Sequence, residues 1–245
     1  MEQLLELTEQ VQSTHFWFQG FRRFMAPVFA SVAGGRTDLR ILDCGCGTGH
    51  NVPMLQPYGE VYGFDLTFGG LARAKSRTRA LVCADTVRVP FADRSFDLVT
   101  SFDMLQSVPD DGEALREMAR VLEPGGALVF TAAAMDILRG DHSEAWKEVR
   151  RYTRSSARAA TEKAGLRVER VSYLFGTLAP LILTARLAQR VRRLSHDTST
   201  TRTDLGVPAA PVNAALAALL RAEAALAPRF SLPFGSSVLV VARKP

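Results

Sequence analysis

The sequence predicts an α/β fold in which a seven-stranded, mostly parallel sheet has helices on both of its faces. Two observations predict it: strand-like and helix-like segments alternate from about residue 39 to residue 175, and a glycine-rich turn follows the first predicted strand. Such alternation is typical of βαβ units, because parallel strands need a crossover that a helix usually supplies. The chain has 245 residues, 47% of them hydrophobic, so it is long enough to bury a sizeable core.

Short apolar runs bounded by turn residues predict the strands, and the periodic segments between them predict the helices. The predicted strands are 39–43, 60–65, 80–84, 96–101, 127–133, 166–174 and 236–243. The predicted core helices are 49–56, 68–76, 110–121 and 153–164. The third helix is the clearest, since acidic residues occupy its first turn and a Glu-Pro-Gly-Gly run ends it.

Two flanking segments lie outside this alternation. The first is predicted to be an N-terminal helical lid, which carries the aromatic cluster His15-Phe16-Trp17-Phe18. The second is predicted to be a helical insertion before the last strand, with a mobile polar loop at 195–206. We expect one domain over residues 1–245, divided into the N-terminal extension 1–33, a core 34–175, the insertion 176–235 and the final strand 236–245.

Charge and cysteine usage exclude several classes of function. The net charge of +5 fits weak attraction to acidic partners, but no stretch interleaves basic and aromatic residues, so we do not expect nucleic-acid binding. The three cysteines, Cys44, Cys46 and Cys83, lie in or beside apolar runs without a Cys-x-x-Cys pair. We expect them to be small buried side chains in a reduced compartment, with neither a disulfide framework nor a metal site.

The chain shows no targeting or membrane-spanning pattern. Its first ten residues are acidic and amphipathic, unlike the basic start of a secretory signal. Its most apolar run, 174–188, is interrupted by Pro180 and Arg186 and is too short to cross a bilayer. We therefore expect a cytoplasmic protein without a transmembrane segment. Contact with a membrane surface, a monomer and a homodimer all stay open.

The most informative local feature is the turn after the first strand. Strand 39–43 ends in Asp43 and leads into Gly45-Cys46-Gly47-Thr48-Gly49. Glycines are needed where the chain turns sharply and a ligand must approach the backbone closely. In open α/β sheets the ligand lies at the carboxyl ends of the strands, so this turn predicts a nucleotide-like ligand.

A nicotinamide-dependent oxidoreductase is the first alternative, because its cofactor also binds beside a glycine-rich turn. Its fingerprint is G-x-G-x-x-G, which would require a third glycine at position 50. That position is His50, and the third glycine is Gly49 instead. Asp43, two residues before Gly45, is also absent from the dinucleotide pattern. The spacing therefore disfavours NAD.

The segment ILDCGCGTG resembles motif I of the class I S-adenosylmethionine (SAM)-dependent methyltransferases, a family with a Rossmann-like sheet. Later segments resemble further motifs of this family in the same order, strongly over about residues 39–133 and more loosely on the flanks. These segments are VYGFDLT, CADTVRVPF, PFADRSFDLVTSFDMLQSV and EMARVLEPGGALVFT. The resemblance implies SAM as the cofactor and methyl transfer as the activity. A non-catalytic SAM-binding partner protein is the second alternative.

The resemblance also implies roles for individual residues. Asp65 would hold the two ribose hydroxyls, Asp85 would accept from the adenine amino group, and the backbone of Thr86 would contact the adenine ring. The full cofactor-binding set that we expect is Asp43, Gly45, Cys46, Gly47, Gly49, Asp65, Leu66, Asp85, Thr86 and Phe102. One departure concerns the histidine that the family often has shortly after Leu105, because this chain has Gln106-Ser107-Val108 there.

The acceptor is constrained mainly by what the sequence lacks. A sulfonium methyl is already activated, so positioning contributes most and no fixed catalytic constellation is required. The residues after the fourth strand, Ser101-Phe102-Asp103-Met104, differ from the Asn/Asp-Pro-Pro-Tyr/Phe of enzymes that methylate exocyclic amines. No cysteine is placed for a covalent mechanism on pyrimidines. We therefore expect O-, N- or C-methylation of a small-molecule or lipid-like acceptor.

The flanks resemble one bacterial subgroup of the family, in which aromatic residues near the N-terminus cover the cofactor. The loop RGDHSEAWKEVRRYTR resembles that subgroup's loop, with Glu148 at a position where the subgroup often has histidine. His142 is the first candidate for a catalytic base, followed by His15 and Tyr152. The aromatic cluster could instead only pack the lid on the sheet, and His142 could lie in solvent. For the insertion, acceptor binding, membrane contact, a helical cap and a dimer contact stay open.

Overall fold

The computed structural model describes residues 2–78, 80–195, 206–227 and 232–245, which form nine α-helices and seven β-strands. The helices are α1 (Glu2–Val11), α2 (Phe16–Ala33), α3 (Val52–Leu55), α4 (Phe68–Ala74), α5 (Asp111–Val121), α6 (Asp141–Ala145), α7 (Arg154–Lys163), α8 (Ala179–Ser195) and α9 (Ala210–Leu226). The strands are β1 (Leu39–Cys44), β2 (Gly59–Asp65), β3 (Leu81–Cys83), β4 (Phe96–Phe102), β5 (Leu122–Ala133), β6 (Arg167–Leu174) and β7 (Ser237–Arg243).

The seven strands form one sheet in the order β3-β2-β1-β4-β5-β7-β6. Strands β1 to β5 pair in parallel, whereas β7 runs antiparallel to both β5 and β6. The prediction of a seven-stranded, mostly parallel sheet is therefore confirmed. The strand order reverses between β1 and β4, and this is where open α/β sheets leave a crevice for a ligand.

Both faces of the sheet are covered by helices, as predicted. Alternate residues along each central strand point to opposite faces. On one face, Leu42 of β1 and Phe130 of β5 pack with the apolar side of α5. On the other face, Ile41 and Val129 pack with residues of α2 and α9. The N-terminal extension and the insertion therefore cover the same side of the sheet.

Two element boundaries differ from the prediction for identifiable reasons. The helix expected at 49–56 is reduced to α3, followed by a 3₁₀ turn at Gln56–Tyr58. It begins only at Val52, because Gly49 still belongs to the glycine turn and its φ of +73° is not helical. Strand β5 begins at Leu122 and not at residue 127, since Leu122 already pairs with Phe96 of β4 across an irregularity in the register. Backbone bonds of Gly125 and Gly126 with Lys244 hold this early part in place.

The flanks are helical as predicted, with α1 and α2 before the sheet and α8 and α9 before β7. Residues 196–205 of the expected mobile loop lie outside the described residues. None of the helices in the described ranges is long and apolar enough to span a membrane. Cys44 and Cys46 are buried free thiols, but Cys83 is exposed on the short edge strand β3, so the expectation of burial is wrong for that residue.

Candidate active site

A cavity lies along the carboxyl edge of the sheet, where the strand order reverses. Its volume is about 710 Å³, within the range that small-molecule sites typically occupy. Residues at or after the ends of β1, β2, β3, β4 and β5 form one part of its wall, and residues from α1, α2, α6, α8, the start of β7 and neighbouring loops form the rest. The predicted site residues that line it are His15, Gly45, Cys46, Gly47, Asp65, Leu66, Asp85, Thr86, Phe102 and His142.

The glycine turn, residues 45–49, presents bare backbone to this cavity. The N–H groups of Gly45 and Cys46 both donate to the carbonyl oxygen of Phe64, at 2.9 and 3.0 Å, and so fix the turn to β2. Gly45 has a φ of +72°, and a Cβ built on it would lie 2.7 Å from Cγ of Met104. Only glycine fits there, which leaves the backbone accessible to a ligand.

Gly49 and Asp43 support the turn and do not line the cavity. A Cβ on Gly49 would lie 3.0 Å from Cβ of Ala74, so this glycine allows α4 to pack closely. Asp43 is 1% exposed and accepts a 2.8 Å hydrogen bond from Oγ1 of Thr100. Burial raises the pKa of Asp43 to about 7; the Thr100 bond opposes this shift and the charge of Asp65 adds to it.

Asp65 ends β2 and turns its carboxylate toward the cavity. Its Oδ2 accepts from the N–H of Gly47 at 2.8 Å, and its Oδ1 accepts from the N–H and Oγ1 of Thr67 at 2.8 and 2.5 Å. These three bonds fix the orientation of the carboxylate. Two carboxylate oxygens offer about four acceptor sites, so Asp65 keeps capacity for a ligand hydroxyl.

The neighbouring part of the wall combines a second carboxylate with flat apolar surfaces. Asp85 follows β3 and accepts from the N–H of Val87 at 3.2 Å. Leu66 is 69% exposed and lies beside Thr86 in the cavity lining. Phe102 packs edge-on against Phe21 of α2, with 5.3 Å between the ring centroids. Such a surface suits a planar heterocycle that carries N–H donors.

The aromatic cluster lines the cavity and also packs the lid onto the sheet, so both expected roles are compatible with the structure. The ring of Trp17 stacks on Phe175 at 4.0 Å between centroids. From the other flank of the chain, α8 and the residue before it contribute apolar side chains to the same cavity. We call the combined surface the apolar wall; it consists of Phe16, Trp17, Phe21, Leu178, Leu181 and Ile182.

His15 acts as the N-terminal cap of α2. Its Nδ1 accepts from the N–H of Trp17 at 3.2 Å, and its side chain is 7% exposed. Burial lowers the pKa of His15, and a hydrogen bond to the backbone of Gly206 acts in the opposite direction. Both contacts hold the imidazole in a structural position between the lid and the insertion.

His142 and Glu148 also line the cavity. His142 is on α6, with its ring 6.1 Å from that of Trp146. Glu148 accepts from Nε of Arg151 at 2.9 Å in an ion pair that is almost completely buried. The position at which the resembling subgroup often has histidine is therefore occupied by half of a buried ion pair.

Tyr152 does not reach the cavity, which corrects the expectation that it is a catalytic candidate. Its side chain is 3% exposed, and its hydroxyl donates to Oδ2 of Asp111 at 2.5 Å. Burial, together with the bond to Asp111, raises the pKa of Tyr152 far above its usual range. Its hydroxyl therefore joins the loop to α5, inside the core on the opposite face of the sheet.

Several polar residues that line this cavity received no individual role from the sequence, among them Asp103, Gln106 and Arg186. A usable signal existed for Asp103, because it lies two residues after a predicted strand, at the edge where ligands bind. No local pattern marks Arg186, which reaches the cavity only because α8 folds back over the sheet.

The chemistry of the wall fits SAM. Asp65 and Asp85 offer acceptors for hydroxyl and amino donors, and the glycine turn offers open backbone. Buried polar atoms of cavity-lining residues are also left without a hydrogen-bond partner within the described chain, namely Gln12 Oε1, Trp146 Nε1 and Ser236 Oγ. Native proteins rarely leave such atoms unsatisfied, so they indicate a polar ligand.

Comparison with known proteins agrees with this geometry. Residues 42–130 match the family model described as a methyltransferase domain. Malonyl-[acyl-carrier protein] O-methyltransferase of Pseudescherichia vulneris is 37% identical over 131 residues, covering 52% of this chain and 52% of that protein. Demethylmenaquinone methyltransferase of Staphylococcus aureus is 42% identical over 105 residues, covering 39% of this chain and 44% of that protein. The chain thus spans about half the length of these curated relatives.

A solved structure shows the same fold. Phosphoethanolamine N-methyltransferase 2 of Haemonchus contortus, in complex with phosphomonomethylethanolamine and S-adenosylhomocysteine, superposes with a TM-score of 0.63 at 18% identity, covering 100% of this chain and 58% of that chain. The comparisons favour a methyltransferase over the nicotinamide alternative. Residues 42–130 thus match a methyltransferase domain, and the sheet order, the glycine turn and these likenesses make the chain similar to the class I SAM-dependent methyltransferases.

Proposed function

We propose that this protein transfers a methyl group from SAM to a small-molecule or amphipathic acceptor by direct in-line displacement. One observation carries the proposal: the glycine turn, Asp65 and Asp85 share a single cavity with the apolar wall. That cavity offers polar acceptors for a nucleoside on one side and apolar surface for a second molecule on the other. Both reactants therefore have room within one enclosed space.

Each polar residue has a defined task in this proposal. Asp65 accepts from the ribose hydroxyls, Asp85 accepts from the adenine amino group, and the backbone of Thr86 contacts the adenine ring. The glycine turn lets the rest of the cofactor approach the backbone. When bound, SAM supplies a methyl group that its positively charged sulfur has already activated.

The rest of the cavity positions the acceptor and excludes water. Holding two reactants in line is worth roughly 7–11 kcal/mol in favourable intramolecular models. The apolar wall supplies most of the surface for this purpose. Because Leu178, Leu181 and Ile182 belong to that wall, we assign the insertion to acceptor binding as a helical cap. The name of one relative specifies O-methylation, so oxygen acceptors are the first to test.

Replacing Asp65 with Ala tests the cofactor site. We expect SAM to bind at least about tenfold more weakly, because hydrogen bonds to a charged group are worth about 1.5–3 kcal/mol each. Asp65→Asn, which keeps one carbonyl oxygen, should lose less. Calorimetric titration with SAM, S-adenosylhomocysteine and NAD measures the affinities.

Asp38→Ala is the matched control, since Asp38 is an exposed carboxylate that pairs with Arg36 away from the cavity. It should bind SAM as the wild type does. Equal SAM affinity in Asp65→Ala and Asp38→Ala would mean that the ribose site is misplaced. Tight binding of NAD without binding of SAM would contradict the proposed function. Release of S-adenosylhomocysteine with a panel of acceptors then separates an enzyme from a non-catalytic SAM-binding protein.

A further inference from the structure

Asp103 lies where the cofactor side of the cavity meets the acceptor side. It is the first residue after β4, and Ser101 of β4 pairs with Cys44, the residue directly before the glycine turn. The side chain of Met104, the next residue, lies against Gly45 of that turn. The apolar wall and the Glu148–Arg151 ion pair lie in the same cavity.

The backbone of Asp103 is held in an uncommon conformation. Its φ is +50°, in the left-handed region that non-glycine residues seldom occupy. Its N–H donates to the carbonyl oxygen of Thr131 at 2.9 Å, and its carbonyl oxygen accepts from Nε2 of Gln106 at 2.8 Å. Such strain persists only where surrounding contacts impose it, and it is concentrated at functional sites. The side chain of Gln106 therefore helps to hold the backbone of Asp103 in this conformation.

The Asp103 carboxylate has few hydrogen-bond partners in the described part of the chain. Its Oδ1 accepts one long bond, 3.3 Å, from Oγ1 of Thr131, and its Oδ2 accepts none from the residues that the structure describes. The residue is exposed and lines the cavity. Protein atoms around the carboxyl group nevertheless displace part of its water, and this desolvation raises the pKa of Asp103 to about 6; Thr131 opposes the shift, Glu148 adds to it and Arg151 opposes it.

Other titratable groups surround the same space. They come from the start of α2, the glycine turn and the residue after it, the ends of β2 and β3, α6 with its following loop, and α8, and they are His15, Cys46, His50, Asp65, Asp85, His142, Glu148, Arg151 and Arg186. Glu148 and Arg151 neutralise each other in their ion pair. Asp103 therefore remains as a carboxylate on the acceptor side that is not paired with a cationic side chain in the described part of the chain.

We propose that Asp103 is the catalytic base that binds the reacting group of the acceptor, and that the acceptor is a protic one, with an O–H or N–H nucleophile. This inference rests on the proposed function. The acceptor's O–H or N–H donates to the Asp103 carboxylate. As oxygen or nitrogen forms its bond to the methyl carbon, the carbon–sulfur bond breaks and its electron pair stays on sulfur. The acceptor's proton passes to Asp103 and then to water.

The proposal assigns the role of catalytic base to Asp103 and not to His142. A base with a pKa near 6 is mostly ionised at neutral pH and still accepts a proton effectively. Asp103 also has a fixed backbone directly beside the glycine turn, whereas His142 is on the short helix α6. We therefore assign proton transfer to Asp103 and leave His142 to shape the acceptor side.

The test compares wild type with Asp103→Asn, which keeps the size and one acceptor oxygen but cannot take a proton at neutral pH. Release of S-adenosylhomocysteine is measured from about pH 5 to about pH 9 with phenols, aliphatic alcohols, carboxylic acids and primary amines of increasing apolar length. We expect Asp103→Asn to lose roughly a hundredfold or more in kcat/KM. The wild-type profile should fall about tenfold per pH unit below about pH 6, because Asp103 is then protonated.

A second readout does not depend on turnover. With ¹³C-labelled aspartate, wild type should show a carboxyl resonance that titrates near pH 6 and is missing in Asp103→Asn. SAM affinity should stay within about threefold in the variant. Asp136→Asn is the matched control, since Asp136 is an exposed carboxylate paired with Arg139 outside the cavity, and it should keep both activity and pH profile.

The outcomes distinguish the two proposals. If Asp103→Asn has a lower kcat/KM and no longer shows the fall in activity below about pH 6, the result supports Asp103 as the base. An unchanged pH profile in Asp103→Asn overturns the assignment, as does turnover within about threefold of wild type. If wild type binds SAM but releases no S-adenosylhomocysteine with any of the protic acceptors, the proposal that the acceptor carries an O–H or N–H group is wrong. Failure of wild type to bind SAM instead overturns the proposed function itself.

Discussion

At the scale of single residues, Asp43 shows how burial changes the pKa of a carboxyl group. The sequence identifies this residue only as part of a motif. It lies beneath the glycine turn, with one oxygen bonded to Thr100 and the other without a partner among the described residues. Its pKa of about 7 lies well above the usual value near 3.9. The folded protein therefore keeps a proton on Asp43 over a pH range in which the unfolded chain has lost it.

Asp43→Asn should remove this pH dependence. Since the folded state binds more protons, the wild-type free energy of unfolding falls as pH rises from about 4 to about 7. The Asn variant lacks this contribution, so its stability relative to wild type should increase with pH by up to about 1.4 kcal/mol per unit. Urea unfolding at about pH 5 and about pH 7 measures the difference. A difference that does not change with pH would contradict the raised pKa.

Single residues also show where motif likeness stops being informative. Asp65 and Asp85 could be located from the sequence because motif spacing places them at the ends of adjacent strands. Tyr152 also matches a recurring position, yet its side chain points into the core and bonds to Asp111. Side-chain direction depends on how the loop after α6 folds, and spacing along the chain does not contain that information.

At the scale of elements, α8 and α9 are joined through one buried carboxylate. Glu223 of α9 is 6% exposed and accepts from the N–H groups of Gly176 and Thr177, at 2.8 and 2.9 Å, and from the Thr177 hydroxyl. These donors lie in the turn that leads into α8, so a side chain of one helix holds the segment before the other. The sequence gives no sign of this contact, because Glu223 lies 46 residues after Thr177.

Replacing Glu223 with Ala should destabilise the insertion. The change leaves buried donors without acceptors, which we expect to lower the free energy of unfolding by about 2–4 kcal/mol. Glu223→Gln should recover part of this loss because its amide oxygen still accepts. Urea unfolding provides the measurement. Glu162→Gln is the control, since Glu162 is an exposed member of an ion pair on α7, and its effect should stay within about 0.5 kcal/mol.

Most strands and helices could be predicted because hydrophobic periodicity is a local property of the chain. The errors occur where distant contacts or the glycine turn decide a boundary. The early start of β5 depends on pairing with β4 and on Lys244, which follows the neighbouring strand β7. The expected helix after the glycine turn begins late, because the φ of +73° at Gly49 is not helical. The contacts of Asp103 could not be predicted from its position just after a strand, since its neighbours come from β5 and from the loop after α6.

At the scale of the whole molecule, the two flanks of the chain meet where α2 packs against α9. A Cβ built on Gly20 of α2 would lie 2.4 Å from Cδ1 of Leu220 on α9. Leu220 is completely buried. The approach of the two helices is therefore as close as a glycine allows, and it fixes how the lid and the insertion are arranged over the sheet.

Gly20 and Leu220 should show strong coupling in a double-mutant cycle. Gly20→Ala overpacks the contact and should cost about 1–3 kcal/mol, and Leu220→Ala leaves a cavity and should cost about 2–5 kcal/mol. The double variant should lose less than the sum, by about 1 kcal/mol or more. Gly112→Ala on α5 meets only ordinary contacts and serves as the control. Additive losses in urea unfolding would show that the two helices do not constrain each other.

The contact between α2 and α9 has a consequence for how the proposed acceptor preference changes during evolution. The segment that matches the methyltransferase domain, residues 42–130, contains the glycine turn, Asp65 and Asp85, whereas the apolar wall comes from stretches on either side of it. On the proposed function, a new acceptor can therefore be adopted without altering the residues that we assign to the cofactor. Because Gly20 and Leu220 fit each other so closely, however, the two stretches cannot diverge independently. We expect them to be inherited as a matched pair, even though about 200 positions separate these contact residues.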